Sequence, residues 1–317
     1  PAPGVKKVLE EMEADRLRKY PDPTASILVK ELASYYGLNE DQVFVGVGSD
    51  DVLAMSFLTF FNSDKPVLFP DVTYSFYKVW ADLFKVPFET PVLKEDFTID
   101  VKDYEKENGG VIFPNPNAPT GVYMPLDQVE EILKANQDVV VIVDEAYVDF
   151  AGPSALELLD KYENLLVVQT FSKSRSMAGM RIGFAMGHPD LIRALNDVKY
   201  SYNSYTMNLP SLLAGVEAVK DKEYFEKTIE KIVATREHAK KRLTELGFTF
   251  PNSQSNFIFA SHKSVPAEKI FEALKKEQIY VRYFKTPGLD NSLRISIGTD
   301  EEMDTLFRFL EAYLPNA

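Results

Sequence analysis

The sequence predicts an α/β protein in two parts: a large domain on a mostly parallel sheet flanked by helices, then a smaller C-terminal α/β domain. Three observations carry this expectation. Short apolar runs bounded by Gly, Pro, Asn and Asp alternate with segments of helical length through the first two-thirds of the chain. A stretch rich in Tyr, Ser and Asn over 200–210 breaks that rhythm, and a shorter strand–helix pattern follows it. The 317 residues also exceed the size at which one hydrophobic core keeps growing.

The elements follow in order. Residues 6–18 interleave Lys, Arg, Asp and Glu with a few apolar side chains and read as a helix with a solvated face. A strand is expected over 41–46, then a helix over 50–61 with Ser49 or Asp50 as its N-cap. Strand 66–70 precedes helix 74–84, and strand 111–114 precedes helix 126–135. Between those two lies Asn115-Pro116-Asn117-Ala118-Pro119-Thr120-Gly121, a segment dense in turn-forming residues. The run Val139-Val140-Val141-Ile142-Val143 is β-branched throughout and reads as a buried parallel strand ending at Asp144. Strands 165–171 and 181–187 complete the first part. Beyond the break, 211–246 is helical, 256–260, 279–284 and 293–297 are strands, and 266–277 and 300–314 are helices, with Pro266 suited to a first turn. The expected division is an N-terminal segment 1–19 packing on the small domain, a large domain 20–210 and a small domain 211–317.

The chemistry concentrates where apolar strands end. Lys173 follows Leu165-Leu166-Val167-Val168-Gln169 and is surrounded by Ser172, Ser174, Arg175 and Arg181. A lysine in a polar loop is ordinarily a solvated charge. At a strand end it can also form an imine with a carbonyl while its neighbours hold a phosphate. Pyridoxal 5'-phosphate (PLP) carries both groups, and its enzymes hold it through a lysine with an acidic partner on the pyridine nitrogen. Asp144 either caps the following turn or supplies that partner, since ligands collect at the carboxyl ends of parallel strands. Tyr147, three residues on, can donate to the ring's phenolic oxygen. Gly46-Val47-Gly48-Ser49-Asp50 precedes a helix whose N-terminus attracts phosphate. It lacks the third glycine of a dinucleotide fingerprint and the Lys-Ser/Thr of a P-loop.

Composition narrows the partners. A net charge of −13 argues against nucleic acid, whose affinity rests on Lys and Arg neutralising phosphates. No apolar run approaches the ~20 residues of a membrane span. There is no cysteine, and His188, His238 and His262 are too widely spaced for a metal-ligand pattern, so no metal is expected. A cytoplasmic location is the simplest inference.

In order and separation, Asp144-Glu145-Ala146-Tyr147 and Ser172-Lys173, with Asn115–Gly121 and Gly46–Asp50, resemble the aminotransferases of PLP fold type I. The histidinol-phosphate aminotransferases are the most similar branch, and the likeness runs from Tyr20-Pro21 to Leu293–Thr299. The resemblance implies roles. Lys173 would hold the cofactor and move the substrate proton, Asp144 would pair with the ring nitrogen, and Tyr147 would bond the phenolic oxygen. Ser172, Arg181 and the backbone amides of Ser49 and Asp50 would hold the phosphate. Tyr74 would stack on the ring, and Tyr20 would reach the phosphate in a neighbouring subunit, which requires a homodimer. Arg294 would clamp the α-carboxylate of the amino donor, and Arg282 would face the substrate's phosphate. The reaction implied is transamination between a small-molecule amino donor, histidinol phosphate, and a 2-oxo acid, 2-oxoglutarate.

Two departures from the family pattern stand out. Ala118 occupies the position directly before Pro-Thr-Gly where the family commonly has Asn, so the ring contact passes to Asn117. The chain opens at Pro1-Ala2-Pro3-Gly4, without the Asn-Glu-Asn-Pro-like segment usual before it. An aromatic or broad-specificity aminotransferase, or a decarboxylase of a phosphorylated amino acid, would share every cofactor residue. A non-catalytic PLP-binding regulator is a different class, without the DNA-binding module it would normally carry. A Rossmann oxidoreductase is disfavoured by the missing glycine fingerprint.

Overall fold

The computed structural model describes residues 1–317, apart from the side chain of Asn316. Helix α1 (Pro3–Glu10) and helix α2 (Ser26–Tyr36) lead into β1 (Val43–Gly46), α3 (Ser49–Phe60), β2 (Val67–Leu68), α4 (Phe76–Phe84) and β3 (Phe88–Glu89). Then come β4 (Gly110–Pro114), α5 (Leu126–Ala135), β5 (Val141–Asp144), β6 (Leu165–Thr170), β7 (Gly183–Gly187), α6 (Pro189–Tyr202) and α7 (Leu209–Lys220). The remainder is α8 (Lys222–Glu245), β8 (Phe248–Thr249), β9 (Phe257–His262), α9 (Ala267–Lys276), β10 (Arg282–Tyr283), β11 (Leu293–Ser296) and α10 (Asp300–Tyr313).

Seven strands form one sheet in the order β1-β7-β6-β5-β4-β2-β3. β3, β2, β4, β5 and β6 pair in parallel, as expected for strands joined through helices. β7 runs against both its neighbours, so β6 turns straight back into it through residues 171–182. That connection carries Lys173 and Arg181. Four strands form the second sheet, in the order β10-β11-β9-β8, all antiparallel.

The central strands are apolar on both faces because helices cover both. Val111, Val141, Val143, Leu165 and Val167 join α2, α5 and α7 in one core, and Ile112, Ile142, Leu166 and Val168 join α3, α4 and α6 in another. Burying a Val, Leu or Ile side chain fully is worth about 1.5–3 kcal/mol, so each such strand is anchored by several side chains at once. A third core, built on Ile258, Leu293, Ile295, Leu274 and Phe307, holds the second sheet to α8, α9 and α10.

Several expectations change in detail. Residues 211–246 are two helices, because Asp221 leaves the helical conformation and accepts a hydrogen bond from the Tyr224 amide at the start of α8. Strand 279–284 shrinks to Arg282–Tyr283, with Tyr280 largely exposed. Pro266 is the N-cap of α9 rather than a residue of its first turn. Helices α2 and α6 were not foreseen. The expected boundary at 210/211 falls inside α7, whose Leu212, Ala214, Ala218 and Val219 belong to the core of the seven-stranded sheet. Ala2 and Val5 bury in that same core, so α1 packs against α7 on the large unit and not on the small domain.

One close approach ties the sheet to the start of α3. Gly183 of β7 pairs with Gly46 of β1, and a Cβ at position 183 would meet Gly48 C and Ser49 N at 2.2 Å. Gly183→Ala therefore forces the β1–α3 turn away from β7. The expected cost is about 1–3 kcal/mol of stability, as for overpacked cores. A urea midpoint unchanged from wild type would overturn this reading of the turn.

Candidate active site

The site forms because three parallel strands end level with one another. Pro114 of β4, Asp144 of β5 and Val168 of β6 lie in register. Beyond their carboxyl ends is a cavity of about 240 Å³. Ser49, Asp50, Tyr74, Asp144, Tyr147, Ser172, Lys173, Arg181 and Arg294 line it, together with Pro114, Ala118, Ala146 and Ala178. Nine of the twelve residues singled out from the sequence thus meet in one place, drawn from five separate parts of the chain.

Asp144 forms the floor and is only 5% exposed. Its Oδ2 accepts the Tyr77 hydroxyl at 2.7 Å and its Oδ1 accepts the Ala146 amide at 3.2 Å. Burial pushes its carboxyl up to about 6, against the pull of those two hydrogen bonds; Asp50 raises it further and Lys173 lowers it. Neighbouring Glu145 is turned away from the cavity lining and accepts from Ser154 Oγ at 2.6 Å, the Ala155 amide at 2.6 Å and Gln169 Nε2 at 2.9 Å. Burial pushes its carboxyl up to about 7 despite these bonds.

Lys173 stands on the β6–β7 connection, where the Ser176 amide closes a turn onto its carbonyl at 3.0 Å. Its Nζ lies 5.4 Å from the centre of the Tyr147 ring. Tyr147 is held edge-on against Phe257, with ring centres 5.0 Å apart. Arg181 returns from the same connection: its Nη1 donates to Ser172 Oγ at 3.4 Å and its Nη2 lies 3.7 Å from Asp50 Oδ2. Asp50 Oδ1 also accepts the Tyr74 hydroxyl at 2.8 Å, and burial with that bond raises the Tyr74 phenol above its ordinary range. Gly48 has φ +85°, and a Cβ there would meet Arg181 Nη2 at 2.4 Å, so the guanidinium lies directly over the turn. The first amides of α3 have no intrahelical partners, and together with Ser172 and Arg181 they form an anion cup.

Arg294 enters from the second sheet. Its guanidinium lies over Phe257 at 5.0 Å and Phe284 at 5.9 Å, and its buried Nε has no hydrogen-bond partner among the described residues. Buried donors are normally satisfied, so an acceptor is called for at this end of the cavity.

Three expected residues are not among the cavity's lining. The Asn117 amide donates to the Val72 carbonyl at 2.9 Å and to Thr120 Oγ1 at 3.1 Å. These bonds pin its loop, and Ala118 lines the cavity in its place. Arg282 is exposed on the edge strand β10, its guanidinium 5.5 Å from the Phe284 ring. Tyr20 is 82% exposed and rests against Tyr205, ring centres 4.8 Å apart. Conversely, the sequence reading passed over Tyr77, although it stands one helical turn after Tyr74.

The family model for aminotransferases of class I and II matches residues 1–310. The chain belongs to this family. Among curated relatives, the aminotransferase is 51% identical to histidinol-phosphate aminotransferase from Brachyspira hyodysenteriae, over all of this chain and 90% of that one. Among solved structures, it superposes on histidinol-phosphate aminotransferase from Clostridium acetobutylicum with a TM-score of 0.90 at 23% identity, covering 99% of this chain and 96% of that one. The corresponding enzyme from Sinorhizobium meliloti, solved with pyridoxal-5'-phosphate, gives 0.88 at 25% identity, covering 99% and 87%.

The cofactor of an aminotransferase is pyridoxal 5'-phosphate, and the residues present fit it. A buried carboxylate without a cationic hydrogen-bond partner suits a protonated ring nitrogen. An amine across the cavity suits an aldehyde, and the cup of Ser172, Arg181 and α3 suits a phosphate.

The raised carboxyls give this aminotransferase a signed pH dependence. A carboxyl whose pKa is higher in the folded state binds its proton more tightly there, so stability is greatest below the unfolded value and falls as pH rises through the folded one. For Asp144 the window runs from 3.8 to about 6. The cofactor-free wild type should lose about 2 kcal/mol more than Asp144→Asn between pH 4 and 6.5 in urea unfolding. Parallel stability curves for the two proteins would refute the assignment.

Proposed function

We propose that the chain transaminates histidinol phosphate with 2-oxoglutarate, a step of histidine biosynthesis, as a cytoplasmic homodimer. The observation that carries the chemistry is the meeting of Lys173 and Asp144 at the ends of adjacent parallel strands, in one cavity with an anion cup. The substrate assignment draws on the 51% identity to a histidinol-phosphate aminotransferase over the whole chain. The substrates are small charged molecules of the cell interior, which is the basis for the cytoplasmic reading.

Bound in this cavity, pyridoxal phosphate supplies an aldehyde for amines and an electron-poor ring that stabilises negative charge on the adjoining carbon. The chain's own residues then divide the work. Lys173 Nζ would hold the aldehyde at rest; once freed by the donor amine, it would take the proton from the amine-bearing carbon and deliver it to the former aldehyde carbon. Asp144 keeps the ring nitrogen cationic by charge. Tyr147 would donate to the phenolic oxygen without help from Asn117, and Tyr74 would cover a ring face. Ser172, Arg181 and the α3 amides fix the phosphate, so the ring cannot drift as charge moves.

Histidinol phosphate carries no α-carboxylate, so the role expected of Arg294 towards the donor passes to the carboxylate of the oxo acid, a planar acceptor that matches its fork. Arg282 stands directly opposite Arg294 in the β10–β11 ladder, and both guanidinium groups flank Phe284. Residues opposed in this way share a sheet face, which supports Arg282 as the contact for a phosphate farther from the reacting carbon. The exposed ring of Tyr20 beside Tyr205 supports a role across a subunit interface, where it would complete the partner's phosphate cup.

Lys173→Ala should abolish the visible absorption that wild type gains with pyridoxal phosphate, and should cut transamination of histidinol phosphate by 2-oxoglutarate by about 10⁴-fold. Retained turnover with an unaltered spectrum would sink the proposal. Arg282→Ala should raise KM for histidinol phosphate about tenfold, the scale of a charge-assisted hydrogen bond, and leave unphosphorylated aromatic donors unaffected. An equal change for both kinds of donor would remove Arg282 from the site.

A further inference from the structure

Tyr77 does not line the cavity, yet it touches the residue at its floor. The side chain is fully buried on α4, against Phe57, Phe69, Tyr74 and Trp80. Its hydroxyl and the Ala146 amide donate to different oxygens of Asp144, at 2.7 and 3.2 Å, so the carboxylate plane is fixed about its own bond to Cβ. Tyr77 is the one side-chain hydrogen-bond donor to Asp144 among the described residues. An isolated buried carboxylate readily takes a proton, whereas a hydrogen bond from a neutral phenol favours the ionised form. The other groups facing Asp144 partly oppose one another. Asp50 on α3 disfavours its charge, Lys173 on the β6–β7 connection favours it, and Tyr74 and Tyr147 are phenols nearby.

We propose that Tyr77 is a positioning residue that keeps Asp144 ionised and aimed into the cavity, so that the site selects pyridoxal phosphate with a protonated ring nitrogen. The inference rests on the reading of Asp144 as the partner of that nitrogen. A purely structural tyrosine would fill the space between α4 and the sheet equally well without its hydroxyl. The two roles make different demands. The positioning role acts through the charge of Asp144, so it matters most where that charge is not otherwise assured. Above the range in which Asp144 titrates, the carboxylate is ionised with or without Tyr77.

The experiment strips the enzyme of cofactor and titrates pyridoxal phosphate back into wild type and Tyr77→Phe at several pH values, following the visible band. Phenylalanine keeps the buried ring and removes only the hydroxyl. The dissociation constant of Tyr77→Phe should be about tenfold weaker at pH 6.5, the scale of a hydrogen bond to a charged group, and the ratio should approach one by pH 9. A ratio that is constant with pH, or equal to one throughout, overturns the proposal. In an Asp144→Asn background the Tyr77→Phe change should be silent; a loss as large as in wild type overturns it too. Should Tyr77→Phe not fold, 3-fluorotyrosine placed at position 77 keeps ring and hydroxyl but is the stronger donor. It should tighten binding at pH 6.5, and unchanged affinity counts against the role. If Asp144→Asn alone binds pyridoxal phosphate as tightly as wild type, the failure lies in the reading of Asp144 and not in that of Tyr77.

Discussion

The site depends on holding one carboxylate out of water. Raising Asp144 from 3.8 to about 6 corresponds to roughly 3 kcal/mol against its charged form. The strand that carries it buries Val141, Ile142 and Val143 completely, and each contributes about 1.5–3 kcal/mol. The apolar run therefore outweighs the cost of the charge at its end, and the chain can present a dry carboxylate before any ligand arrives. A strand with two or three polar substitutions would not have that margin. The strong hydrophobicity of β5 is thus a condition of the chemistry as well as of the sheet.

The remaining parts arrange themselves around that floor by origin. The groups that line the cavity and are suited to grip the cofactor come from the end of the seven-stranded sheet and the segments that start there. The group suited to grip the substrate, Arg294, comes from the second sheet and its separate core. Cofactor and substrate groups thus stand on two sheets with separate cores, joined where Tyr147 packs edge-on against Phe257 of β9. The buried, unpartnered Nε of Arg294 sits at the junction of the two.

What the sequence made legible follows from where its signals are strongest. Lys173, Asp144, Tyr147 and Arg181 stand at the ends of apolar runs, and a run of buried strand residues followed by a polar one marks the rim of a parallel sheet. The helix of 26–36 was missed because its start lies in the Pro-rich 21–25 stretch, where Asp22 accepts hydrogen bonds from the Thr24 and Ser26 amides and caps the helix from four residues away. Asn117 lies outside the cavity lining because its position turns on a single residue of register in a loop, and that register is set in part by Val72, 45 residues away, which no local pattern reveals. Tyr77 looked like core, and it is core; only its hydroxyl, pointing at Asp144 across 67 positions of sequence, gives it a second meaning. The extent of the strand near Arg282 was overestimated because alternation over six residues does not distinguish a paired strand from an extended edge.

The reversal of β7 has a geometric result of its own. Because β6 doubles straight back, the amine of Lys173 and the guanidinium of Arg181 are mounted on one short, stiff connection, braced by a turn at Ser176 and by the glycine contacts beneath it. Both groups thus reach the cavity from one segment, the amine placed for an aldehyde and the guanidinium for a phosphate. A molecule that lacks either group leaves one end of that segment unmatched. Discrimination among related vitamers would then come from the presence of both groups together, and not from the strength with which either end is held.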